Sequence, residues 1–149
     1  MIFEGLHWKH VEGHERYKYQ LLKDVMAWTG IFGLDIDTEW YRMRIDGTLL
    51  VKKGYAWDGS SGPTWDSNNT MLPSLVHDVG YQILRESQMI PATGDFGAYN
   101  ELFERYRKRW DEVYYDKLIE TGTWKIRAWW HYKGVRLFGR KSALPEYLK

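Results

Sequence analysis

In the segment Leu75-Val76-His77-Asp78-Val79-Gly80-Tyr81 an imidazole stands beside a carboxylate, with a phenol four residues after the imidazole. Upstream, Trp57-Asp58-Gly59-Ser60-Ser61-Gly62-Pro63 adds a second carboxylate inside a glycine-rich turn. A histidine is the side chain best suited to act as a base near neutral pH. Carboxylate and backbone carbonyl oxygens suit a hard cation such as calcium. Adjacent residues on a helix point about 100° apart, so His77 and Asp78 cannot form a dyad with each other. They take neighbouring tasks instead. His77 can face a cleft as general base, while Asp78 can reach a hard cation, such as calcium, shared with Asp58 and with backbone oxygens from Trp57 and Gly59 onward. Glycines at 59 and 62 free that backbone to turn toward the ion. Tyr81, one turn beyond His77, can bond the group that orients the ring.

These residues need a helix under them, and the period of the second half supplies one. Asn69 or Thr70 caps a helix with Pro73 in its first turn, and Leu72, Val76, Val79, Ile83 and Leu84 recur at helical spacing until the chain nears Pro91. A second helix runs from near Asp95 toward Thr121-Gly122, with Phe96, Tyr99, Phe103, Tyr106, Trp110, Val113 and Tyr114 as its inner stripe. A third is capped by Thr123 and closed by Gly139. The first half reads as strands. Residues 39–45 and 48–52 flank Asp46-Gly47, the preferred pair for a two-residue type I′ hairpin. Residues 17–24 and 26–36, broken by Thr29-Gly30 and Gly33, suit further short antiparallel strands.

The fold class is therefore α+β: N-terminal antiparallel hairpins or a small sheet, followed by about three helices, two of them an antiparallel pair. At 149 residues a single domain is expected, with a β-rich part over 1–52, the metal loop over 53–69, the helical part over 70–141 and a tail over 142–149. Hydrophobic residues make up 44% and aromatic residues 17%, which places the chain with folded proteins and not with disordered tails. A net charge of +1 implies no general grip on nucleic acid. From residue 123 onward, however, Lys125, Arg127, Lys133, Arg136, Arg140, Lys141 and Lys149 face a single acid, Glu146, so this end suits an anionic surface. With no cysteine, disulfides and thiolate chemistry are excluded. No secretory leader opens the chain and no apolar run approaches the ~20 residues of a membrane span. The expected location is the cytoplasm of the producing cell.

His-Asp-x-x-Tyr after an Asp-Gly-x-Ser loop resembles the catalytic core of phospholipases A2, especially the short prokaryotic and fungal type. The order Asp58 to Pro63, His77 to Tyr81, Asn100-Glu101-Leu102-Phe103 and Val135-Arg136-Leu137-Phe138-Gly139 is also similar to a phage-associated family of unknown function. The resemblance spans roughly residues 52–139. It implies that His77 activates a water that attacks the sn-2 ester of a phospholipid, while Asp78 and the loop near Asp58 hold calcium, which polarises the ester carbonyl. These enzymes orient the histidine with an aspartate on the second helix, where this chain has Asn100. An amide can hold the ring but cannot stabilise an imidazolium, and the like replacement in serine proteases lowers kcat by about 10⁴. Asp95, Asp111 and Asp116 are other candidates, among which spacing does not choose. Packing around Trp110 must do what disulfides do in the secreted enzymes.

Rival readings are plain structural ones. A His-Asp pair on an amphipathic helix is often only a satisfied polar pair, and Asp-Gly is usually an ordinary turn. His7, His10 and His14 have metal-patch spacing, but Gly5, Gly13 and strand-like flanks argue against one. Trp124, Trp129, Trp130 and His131 suit either a core or a lipid headgroup layer. Metal-dependent His-Asp phosphohydrolases need further ligands, and the nearest upstream histidine is the distant His14. A non-catalytic virion or interaction protein that keeps the fold is the main alternative. The discriminator is a carboxylate within hydrogen-bond reach of His77.

Overall fold

The computed structural model describes residues 6–13, 17–59, 66–86 and 96–145. Its contacts gather into two compact units, Met1–Gly59 and Ser60–Lys149. Strands fill the first and helices the second, an α+β arrangement.

The strand unit holds β1 (Trp8–His10), β2 (Tyr19–Leu21), β3 (Val25–Trp28), β4 (Ile36–Asp37), β5 (Tyr41–Met43), β6 (Thr48–Val51) and β7 (Ala56–Trp57). They form two antiparallel sheets, in the orders β1-β2-β7 and β3-β6-β5-β4. Tyr41 pairs with Val51 and Met43 with Leu49, and all four are buried, which is the alternation expected of a sheet with one face on the core. The turn between β5 and β6 differs from the two-residue type I′ form. Gly47 N–H donates to the Arg44 carbonyl and Arg44 N–H to the Thr48 carbonyl, and among the described residues none other than glycine has positive φ, whereas Gly47 lies at +87°. A type I′ turn would need Asp46 there as well. Asp46 instead accepts the Thr48 N–H at 2.9 Å, and Ile45 joins the turn, 62% exposed. His10 lies on strand β1 with its ring 5.2 Å from those of Trp8 and Tyr19, so no helix carries a metal patch there; His14 falls outside the described residues.

The helical unit holds α1 (Asn68–Glu86), α2 (Phe96–Glu120), α3 (Lys125–Phe138) and the short α4 (Arg140–Ala143). Among the described residues no helix is long and apolar enough to cross a membrane. At the start of α1, Thr70 is not the cap. Its hydroxyl accepts the Ser67 N–H at 2.9 Å, reaching back from the third helical position in the manner of a capping box. At α3 the cap position is Trp124, without a side-chain bond, and Thr123 is buried before it. Gly139 follows α3 at φ −81°, so left-handed closure is not its reason for being glycine. A Cβ there would stand 2.8 Å from the Tyr81 hydroxyl and 2.6 Å from the Val135 carbonyl.

α1 and α2 run antiparallel. The Thr121 hydroxyl at the end of α2 donates to the Asn69 carbonyl at the start of α1, while Tyr81, further along α1, meets Asp111 and Arg107. The stripe Leu72, Val76, Val79, Ile83 and Leu84 is buried, as its spacing suggests. Gly80 sets the approach of the two helices: a Cβ there would lie 2.3 to 2.7 Å from the indole carbons of the fully buried Trp110. Gly80→Ala should therefore overpack the pair and lower unfolding stability by about 3 kcal/mol in urea denaturation, against the gain in helix propensity that alanine normally brings. An unchanged or raised midpoint would contradict this packing.

Candidate active site

Three helices deliver the site. His77 and Tyr81 lie one turn apart on the inner face of α1, 3% and 4% exposed, with their rings 4.1 Å apart between centroids. Opposite them, α2 presents Asp111, which has no exposed surface. His77 Nε2 lies 2.7 Å from Asp111 Oδ1, and the Tyr81 hydroxyl donates to the same oxygen at 2.7 Å. Arg136 of α3 donates to Asp111 Oδ2 at 2.8 Å, and Arg107, one turn before Asp111, stands 3.6 Å from that oxygen. Arg107 also reaches the Val135 carbonyl at 3.2 Å and the Arg136 carbonyl at 3.3 Å, which ties α2 to α3. Glu104 completes the network, accepting from Arg107 at 3.1 Å and from Arg140 at 2.9 Å.

Electrostatics fix the protons. Burial alone would raise the Asp111 pKa, but the hydrogen bond from His77, with those from Tyr81 and Arg136, holds it below its ordinary 3.8. Asp111 is then an ionised, acceptor-only group, so the His77 nitrogen facing it must carry the proton. The other nitrogen, Nδ1, is left without a proton in the neutral ring and is the basic atom. Burial and the Asp111 charge push the Tyr81 phenol well up, so it stays a donor. Behind His77 the Tyr114 ring lies 4.8 Å away between centroids, its hydroxyl 2.9 Å from Nδ1 of His131, which is fully buried on α3. Burial, reinforced by Arg127, lowers the His131 pKa to about 4.

The structure brings His77 and Tyr81 together, and their partner is Asp111. Asn100 does not stand at the imidazole: it is exposed on α2, with its side-chain oxygen 3.4 Å from Arg140. Asp111 lies three turns later, about 16 Å along the helix axis. Asp116 is exposed, and Asp95 falls outside the described residues. The signal for Asp111 was present in the sequence. Phe103, Arg107, Trp110, Asp111, Tyr114 and Leu118 share one inner stripe, and charges on an apolar stripe are buried charges that must find partners.

Asp78 is half-buried on α1 in the helical unit. Trp57, Asp58 and Gly59 belong to the strand unit: Trp57 is buried in β7, Asp58 is exposed just after it, and Gly59 has φ +87°. Residues 60–63 of that loop fall outside the described residues. Among the described residues no group of three or more His, Asp or Glu side chains forms a metal cage. Compared with protein-family models, with curated proteins and with solved structures, the chain matches none.

Two outcomes test this network. Asp111→Asn leaves Arg107 and Arg136 facing a neutral amide and should cost about 3 to 5 kcal/mol of stability, while Asn100→Asp should stay within about 0.5 kcal/mol. Equal effects of the two substitutions in urea titrations would contradict the assignment of Asp111. For His131 the folded value is depressed, so its contribution is complete above the ordinary 6.5 and is lost as pH falls toward about 4. Thermal midpoints measured across that window should decline in the parent and decline less in His131→Gln.

Proposed function

We propose that the chain hydrolyses phospholipid esters in the manner of phospholipases A2, with His77 as general base and Asp111 and Tyr81 as its positioning residues. The observation that carries this reading is the 2.7 Å contact between His77 Nε2 and the buried Asp111 carboxylate across the helix pair. It meets the requirement that an intact catalyst keep a carboxylate against the histidine. Bond by bond, Nδ1 takes a proton from a water as the water oxygen adds to the ester carbonyl carbon. The tetrahedral intermediate then expels the lysolipid alkoxide, which receives the proton back from Nδ1. Asp111 holds the ring in the required tautomer and offsets the transient imidazolium charge. Arg136 and Arg107 draw on the same carboxylate, so the offset is smaller than a lone aspartate would give. Calcium is the cofactor this reading implies, with Asp78 as its carboxylate; when bound it polarises the ester carbonyl as a Lewis acid.

A second reading has its own support. Arg107 and Arg136 turn the same carboxylate into a clamp on three helices, which suits a non-catalytic virion or interaction protein. A direct assay separates the two. Anionic phospholipid vesicles incubated with the protein and calcium should release fatty acid, the release should stop with chelator, and His77→Asn that keeps its helical circular dichroism should lose about 10² to 10⁴-fold in rate. No release from the parent protein with calcium present would sink the hydrolase reading and leave the clamp.

A further inference from the structure

α3 is apolar on two sides. Ala128, His131 and Val135 face the core, as expected of a packed helix. On its outer side Ile126, Trp129, Trp130, Lys133 and Leu137 follow at i, i+3, i+4, i+7 and i+11, the spacing of a single face. Their burial is not merely incomplete: Ile126 is 85% exposed, Leu137 73%, Trp129 52% and Trp130 50%, with Trp124 at 84% and Phe138 at 66% at the two ends of the helix. Large apolar side chains grouped on one exposed face mark an interaction surface.

Charge selects the partner. Residues 123–145 contain Lys125, Arg127, Lys133, Arg136, Arg140 and Lys141 and no acid. Arg136 and Arg140 turn inward to Asp111 and Glu104, whereas Lys125, Lys133 and Lys141 are exposed. The Lys133 ammonium lies over the Trp129 ring, 5.6 Å from its centroid, so charge and indole sit together at one level of the surface. Past Trp129 a cleft of about 200 Å³, lined also by Glu112, Tyr115, Asp116 and Tyr132, bounds the face. At 14 residues α3 is too short to span a bilayer. An amphipathic helix with tryptophan and aliphatic residues on the contact side and lysines around them lies in the plane of a lipid headgroup layer. Lysine stems can bury along the acyl boundary while their ammonium groups meet phosphate.

We infer that the outer face of α3 is a docking surface for anionic phospholipid bilayers, seated through Ile126, Trp129, Trp130 and Leu137 and steered by Lys125, Lys133 and Lys141. This names the partner that would bring substrate to the proposed site, and adsorption can be read apart from hydrolysis.

The test is sedimentation of the whole chain with vesicles of phosphatidylglycerol and phosphatidylcholine, in chelator, so that a failed hydrolysis assay leaves this result intact. The parent should co-sediment with phosphatidylglycerol vesicles and release as salt rises, and pure phosphatidylcholine should retain less. The double variant Ile126→Asp/Leu137→Asp changes two exposed side chains, so its fold should persist by circular dichroism. Its partitioning should fall by at least about tenfold, the loss expected when one large aliphatic side chain no longer enters an apolar phase. A parent that stays in solution with both lipids would overturn the inference, as would an unchanged double variant. So would a parent that light scattering shows to be a dimer and the double variant a monomer, because a second copy would then own this face.

Discussion

An ionised carboxylate taken out of water costs several kcal/mol even after relaxation, and it persists only where partners satisfy its oxygens. Asp111 is such a group, with no exposed surface. His77 and Tyr81 of α1 converge on one oxygen, and Arg136 of α3 with Arg107 of α2 itself converges on the other. The helical unit is arranged around that demand. Remove the carboxylate, and a buried guanidinium group, a half-buried one and an imidazole lose the charge that justifies their positions.

Packing follows from the same requirement. A hydrogen bond of 2.7 Å between α1 and α2 demands that the backbones come close, and Gly80 against the Trp110 indole lets them. Gly139 clears the space beside the Tyr81 hydroxyl. Both glycines thus serve proximity, and neither has the left-handed backbone that usually explains a glycine. Tyr114 and His131 extend the polar seam behind His77, with His131 held neutral by burial. A buried network of this kind can rigidify one arrangement of three helices.

Much of this was legible in the sequence, and the misreadings have physical causes. Strong helical periods placed α1 and α2 and their inner stripes, because apolar spacing over many turns leaves little choice. The hairpin at Asp46-Gly47 was recognisable, but its turn type depended on whether Asp46 adopts positive φ or bonds the Thr48 amide, which dipeptide identity does not decide. The caps failed for a similar reason: Thr70 serves from inside the helix, and Trp124 occupies a cap position with no capping side chain. At the site, His77 and Tyr81 were found by adjacency on one helix. Their partner lies 34 residues from His77, where register between two helices decides contact. Motif order along the chain points to Asn100, with Asp111 among the alternatives, whereas the geometry uses Asp111, visible as a charge in an apolar stripe.

Asp111 holds the His77 ring through Nε2, across the helix pair. Nitrogen-15 NMR of the imidazole at pH 8 reads it most directly. The His77 ring should hold a slowly exchanging proton on Nε2, the nitrogen that faces Asp111. An Nε2 that lacks the proton, or a proton there that exchanges rapidly, would contradict this arrangement.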